Sequence, residues 1–169
     1  MPIYPDVHAG QRVTADILRA MIPEQVTKST TETVTSSTTL QNDDELFLSA
    51  VANATYEVEM WLLHSSGTTG RFKGGWTVPA SSTFAWGVHG AASTATTSPA
   101  TDVLMQIRTS VENISLGGAN LSGTAAYIRG TLITAGTAGT LQFQFAQVTS
   151  DAAATQVRNG SVLKIKRTA

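Results

Sequence analysis

The sequence predicts an all-β protein, an antiparallel β-sandwich of the jelly-roll type with an N-terminal arm carrying one short helix. Three observations predict it. Leu141, Phe143 and Phe145 alternate with Gln142, Gln144 and Ala146, and Leu163 and Ile165 alternate with Lys164, Lys166 and Arg167. Successive side chains on a strand point to opposite faces, so each run has one apolar face and one wet face. Turn signals recur roughly every 8–14 residues, which partitions the chain into about eight or nine strands. Helical periodicity is confined to the first thirty residues, and no strand–helix alternation points to a parallel sheet. Among sandwiches, the jelly roll suits this strand count.

Composition agrees. A chain of 169 residues is most simply one domain with a sizeable core. Charged residues make up only 14%, against roughly 25% in an average globular protein, and Thr, Ser, Ala and Gly fill the gap. That mixture suits neutral sheet faces better than a solvated helical surface. The net charge of −1 leaves no basic footprint for nucleic acid. Absence of cysteine rules out disulfides, thiolate metal sites and cysteine nucleophiles. No apolar run approaches the ~20 residues of a membrane span, and the start Met1-Pro-Ile-Tyr-Pro-Asp lacks the regions of a signal peptide. The expectation is a protein that matures in a cytosol, contacts neither membrane nor nucleic acid, and needs no cofactor.

Residues 1–30 are expected to form an attachment arm and residues 31–169 the sandwich. In the arm, Pro2 and Pro5 hold the backbone extended, and the run from Thr14 to Ile22 reads as a short helix stopped by Pro23. Thr14 caps it, and Asp16 sits in the first turn, where the helix dipole favours a carboxylate. Val13, Ile17 and Met21 fall four apart, with Leu18 beside them, and give one apolar stripe. A helix this short needs a surface to lie on: its own sandwich, a sister subunit or a larger assembly.

From Thr30 to Leu40 the chain is Thr/Ser-rich, with Val34 as its branched apolar anchor, and reads as an edge strand or a lead-in. Gln41-Asn-Asp-Asp is expected to turn. Leu46 to Leu48 form a strand, Ala52-Asn-Ala turns the chain, and Tyr56, Val58, Met60 and Leu62 then alternate with Glu57, Glu59, Trp61 and Leu63. Arg71 to Val78 makes a strand ended by Pro79, and Thr83 to Val88 carries Phe84 and Trp86 on one face. Gly90 to Ala100 reads as a low-complexity loop. Val103, Met105 and Ile107 suggest a strand whose period Leu104 blurs. Ile114 and Leu116 precede the Gly117-Gly118 turn, and a long strand through Ala126, Ile128 and Leu132 reaches a hairpin at Gly136–Gly139. The two C-terminal strands close the chain, separated by a loop at 151–154.

Candidates for chemistry are few. His8, His64 and His89 show no metal-ligand spacing, although a metal shared about a symmetry axis would need one histidine per chain. Asp43, Asp44 and Glu45 lack the glycine and terminal acid of a calcium loop. Glu57 and Glu59 lie about 6–7 Å apart on one strand face, an arrangement that cannot straddle a sugar ring for glycoside hydrolysis. No nucleophile elbow or phosphate-cradling loop is present, so the chain is not expected to be an enzyme. Trp61, Trp76 and Trp86 are either core residues or a platform for sugars or partners. If Tyr56, Val58 and Met60 face the core, Trp61 and Leu63 point the other way and need cover from a neighbouring subunit.

Several ordered motifs carry a resemblance. They are Ala9-Gly-Gln-Arg-Val-Thr-Ala-Asp-Ile-Leu-Arg-Ala-Met, Thr38-Thr-Leu-Gln-Asn-Asp-Asp-Glu-Leu, Ala52-Asn-Ala-Thr-Tyr, Gly75-Trp-Thr-Val-Pro-Ala and Gly139-Thr-Leu-Gln-Phe-Gln-Phe-Ala-Gln, closing on Gly160-Ser-Val-Leu-Lys-Ile. The chain resembles small virion proteins of tailed phages of actinobacteria, commonly labelled minor tail proteins. Its last strand is similar to that of trimeric jelly rolls of the tumour-necrosis-factor and complement type. The resemblance implies a non-enzymatic virion protein, a homotrimeric tail appendage or a capsid decoration, assembled in the host cytoplasm. Val13, Ile17, Leu18 and Met21 would attach it to other virion proteins. Trp61, Leu63, Trp76 and Trp86 would contact subunits or host glycans, and a carbohydrate-binding module is the alternative reading.

Overall fold

Runs of period-two alternation become strands in the structure, a computed structural model that describes residues 8–19, 21–96, 102–118 and 123–169. Among the described residues one helix, α1 (Ala15–Arg19), precedes them. The strands are β1 (Glu24–Thr27), β2 (Glu32–Val34), β3 (Gln41–Ala50), β4 (Thr55–Ser65), β5 (Phe72–Thr77) and β6 (Thr83–Ala91). They continue with β7 (Val103–Thr109), β8 (Ile114–Leu116), β9 (Thr124–Ile133), β10 (Gly139–Gln147), β11 (Thr155–Val157) and β12 (Val162–Arg167). The residues at 97–100 of the expected low-complexity loop lie outside the described residues, and Gly90 and Ala91 belong to β6.

The strands form two antiparallel sheets. One runs β1-β12-β4-β9-β6-β7, with β11 beside β4 and β2 beyond it; the other runs β3-β10-β5-β8. The pairings are nested: β1 pairs β12, β2 pairs β11, β3 pairs β10, β4 pairs β9, β5 pairs β8 and β6 pairs β7. The chain is thus one long antiparallel hairpin, rolled so that further seams form between β12 and β4, β9 and β6, and β10 and β5. A hairpin rolled in this way is a jelly roll, the expected fold, although the described residues form twelve strands where about eight or nine were expected.

The apolar face of each alternating run points between the sheets. Val58, Met60, Leu62, Val88, Ile128 and Leu132 meet Leu46, Phe72, Ile114, Leu116, Leu141, Phe143 and Phe145, all essentially inaccessible. At the centre, the Trp76 ring packs edge-on against Phe84, Trp86 and Phe143 at centroid distances of 5.6, 6.3 and 5.0 Å, within the range aromatic pairs prefer. Gly130 makes room for this cluster. A Cβ there would lie 2.6 Å from the Phe84 ring and 2.7 Å from Trp86 Cβ, so a mid-strand glycine is retained despite its entropy cost.

Two expectations change. Gln41–Asp44 does not end a strand but opens β3, and the turn chemistry of its Asn and Asp residues makes a bulge inside the strand. Asn42 pairs with Gln144 and Phe47 with Gln142, so four residues of β3 stand opposite one of β10. Asp43 holds the bulge by accepting hydrogen bonds from the Glu45 and Leu46 amides at 3.0 and 2.8 Å. The arm is also shorter than expected. Glu24–Thr27 hydrogen-bonds to β12, and Lys28 beyond it is buried, so the sandwich begins near residue 24 rather than 31.

Lys28 explains how this boundary is fixed. Its ammonium donates to Asp43 at 2.9 Å and to Glu32 at 3.3 Å, with Glu45 3.7 Å away. Burial alone would lower its pKa; the hydrogen bonds and charge of Asp43 and Glu32 reverse that and raise it. Glu45 in turn accepts from the amides and hydroxyls of Ser29 and Thr30, which hold its carboxyl down at about 2. The clasp ties the segment after β1 and the start of β2 to β3 in the opposite sheet.

Candidate interaction surfaces

Antiparallel register sorts every connection to one of two poles. The entry to β1, the β3–β4, β5–β6, β7–β8 and β9–β10 connections, and the C-terminus lie at one pole. The β1–β2, β2–β3, β4–β5, β6–β7, β8–β9, β10–β11 and β11–β12 connections lie at the other. The arm therefore leaves the sandwich at the pole opposite seven of its loops.

Within the arm, the Thr14 carbonyl accepts from the Leu18 amide at 3.2 Å and its hydroxyl from the Ile17 amide at 3.4 Å, the cap the sequence predicts. The apolar stripe is not covered by the sandwich. Val13, Leu18, Met21 and the neighbouring Ile22 are 54, 55, 40 and 63% exposed, and Ile17 is half-buried. Among the described residues, no helix is long and apolar enough to cross a membrane.

The outer face of the larger sheet is the second surface. Register places Val162, Trp61, Tyr127, His89 and Met105 in one row across five strands, and Lys164, Glu59, Arg129, Gly87 and Ile107 in the next. The small residues Ala85 and Gly87 floor a shallow trough of about 600 Å³ between Tyr127 and Arg129 on one side and Ile107 on the other. Trp61 is 48% exposed and shares a neighbouring depression with Tyr127, Glu59, Val162 and Lys164.

Glu57 and Glu59 occupy this face as an organised network. Arg129 pairs with Glu57 and lies 3.8 Å from Glu59, while the Tyr127 hydroxyl donates to Glu59 at 2.8 Å. Desolvation together with that hydrogen bond raises the Tyr127 pKa. Glu57 is thus paired to a guanidinium, and Glu59 to a phenol with the same guanidinium nearby, which holds these side chains in place on the face.

Several predicted site residues fall elsewhere. Trp76 and Trp86 are 5 and 2% exposed, and so cannot serve as subunit or glycan contacts. Both point inward from their strands, and Trp86 Nε1 is satisfied by the Thr109 carbonyl at 3.0 Å. Leu63 shares the outward face of β4 with Trp61, as expected, but is half-buried, in a depression with Arg158 and Asn159. His64 is fully buried against Phe72, with ring centroids 4.6 Å apart. His89 is exposed in the Trp61 row, and His8 is exposed in the arm. Among the described residues, no group of three or more His, Cys, Asp or Glu side chains is placed to hold a metal ion. The sequence reading missed Tyr127 and Arg129, whose only signal was their alternation with Ala126, Ile128 and Gly130. It also missed the Lys28 clasp, which brings together residues too far apart to form a local motif.

Comparison with known proteins adds little. No protein-family model matches the sequence, and no curated protein matches it. Among solved structures, the chain aligns with one described as the structure of infectious bursal disease virus Gx strain, at 8% identity and a TM-score of 0.20. That alignment covers 88% of this chain, which spans 37% of the length of the other. The fold assignment rests on the strand order and register.

Proposed function

We propose that this chain is a non-enzymatic structural component of a phage virion, a homotrimeric tail appendage or capsid decoration attached through its N-terminal arm. The observation that carries this reading is the uncovered stripe Val13, Leu18, Met21 and Ile22, joined to a sandwich that is complete without it. A helix of five residues is marginal alone, and an apolar segment left exposed beside a closed core is suited to binding another protein. The polarity of the fold supports the same reading, since an arm at one pole leaves the loops of the other directed away from whatever it holds. The motif resemblance to minor tail proteins supplies the assembly. The committed Glu57 and Glu59 carboxylates support a non-enzymatic role.

Removing residues 1–22 tests the attachment. The truncated chain is expected to keep its β-sheet circular dichroism and cooperative unfolding, and to be missing from purified particles when these are assayed by mass spectrometry. Truncated chain incorporated at the wild-type level would overturn the attachment role. The glycan-binding alternative is narrowed by the burial of Trp76 and Trp86 to Trp61 with Tyr127, the aromatic pair on the outer face.

A further inference from the structure

The two outer faces of the sandwich differ in chemistry. On the smaller sheet, the outward positions are Ser49, Thr140, Gln142, Gln144, Lys73, Thr77 and Ser115, with Phe47 the one large apolar side chain among the described outward residues. On the larger sheet, Trp61, Val103, Met105, Ile107 and Ile133 point outward and are 48, 67, 72, 83 and 51% exposed. Scattered exposed apolar residues are ordinary, but Val103, Met105 and Ile107 form an unbroken exposed stripe along β7, and a clustered patch of this kind marks an interaction surface.

From this contrast we infer that the outer face of the larger sheet is the surface on which a second copy of this chain packs. The inference rests on the homo-oligomeric reading above and assigns it a location. Size supports it. Five strands spaced ~4.8 Å apart, over about eight residues of strand rise, give roughly 650 Å² of projected area, close to the ~800 Å² per partner of a stable interface. Charge supports it as well. Glu57 and Glu59 alternate with Arg129, Lys164 and Lys166 across adjacent strands, so the face is close to neutral and sets no strong field against the copy that packs on it. Glu57, Glu59 and Arg129 are already paired, which lowers the cost of withdrawing them from water. Tyr127 lines the trough floored by Ala85 and Gly87, and Trp61 stands beside Tyr127 in the neighbouring depression, a combination of aromatic anchors and a receiving groove typical of interface centres.

The test compares the full chain with the Met105→Glu/Ile107→Glu double variant by light scattering across a wide concentration range, with Phe47→Glu on the opposite face as control. All three positions are solvent-exposed, so folding is expected to survive, and thermal unfolding checks that it does. The expected result is a wild-type mass near three times 17.7 kDa, unchanged in the control and reduced to a monomer in the double variant. A wild-type oligomer that the double variant leaves intact would overturn this surface while keeping the homo-oligomeric reading. A wild-type monomer at every concentration would overturn both. A monomer retained on a glycan array, with binding lost in Trp61→Ala, would overturn the proposal in favour of a carbohydrate surface.

Discussion

His64 stands on the inward face of β4, fully buried, with neither ring nitrogen hydrogen-bonded. Burial lowers its pKa from 6.5 to about 3, because the imidazolium would lose its hydration without gaining a partner. The sign of the linkage follows. In the unfolded chain the ring takes up a proton below about pH 6.5, while in the folded chain it stays neutral down to about pH 3. The unfolded state therefore binds the extra proton between those limits, and stability falls as pH drops through that window, by up to ~1.4 kcal/mol per pH unit. Glu45 adds a second loss lower down, as pH falls from the ordinary carboxylate range towards its folded value of about 2. Urea titrations near neutrality and at about pH 4.5 measure the first effect. His64→Leu keeps an apolar contact with Phe72 and removes the titrating group, so it should flatten the profile between the two conditions. A wild-type profile already flat there would show that burial does not hold this ring neutral.

At the scale of elements, β1 and the clasp behind it decide where the arm ends. Removing residues 1–22 cuts before any sheet hydrogen bond and should leave the unfolding midpoint nearly unchanged. Removing residues 1–30 deletes β1 and Lys28, leaving Asp43 buried without its cation, and breaking a buried pair in this way costs about 3–5 kcal/mol. Urea unfolding of the two truncations checks the difference; equal midpoints would mean that the clasp does not stabilise the sheet. How much of this was legible follows from the same residues. Strands with one covered face were plain: Tyr56, Val58, Met60 and Leu62 in β4, and Leu141, Phe143 and Phe145 in β10, all face the core as their alternation requires. The beginning of β3 was misread because Asn42 and Asp43 carry a turn signal, which the chain uses for a bulge inside a ladder. In β7, Leu104 blurred the period because the strand bears apolar residues on both faces, Leu104 inward and Val103, Met105 and Ile107 outward. That blur was itself the mark of the outer surface, but only register shows that Met105 stands in line with Trp61 and Tyr127.

For the whole molecule, nesting of the pairs gives the chain a direction. Because β1 pairs with β12, the arm and the C-terminus leave from the same pole, and Thr55 binds the terminal residues through backbone hydrogen bonds to Thr168 and Ala169. The β6–β7 pair is the one rung of the rolled hairpin that joins consecutive strands, and its connection leaves Ala91 and enters Val103 at the far pole. A particle holding the arm would therefore present that far pole to its surroundings and keep the near pole against itself. The β9–β10 turn at Gly136 belongs to the near pole, and a side chain at that glycine would meet no other atom within 4 Å. The exposed Thr96 belongs to the far pole. An epitope inserted after Thr96 should then be recognised by antibody on intact particles. The same epitope inserted after Gly136 should be recognised on the isolated protein but shielded on the particle. Immunogold labelling of particles carrying each insertion measures this. Equal labelling of both would mean that the sandwich does not stand end-on, and strong labelling at Gly136 alone would reverse the orientation and remove the arm as its attachment.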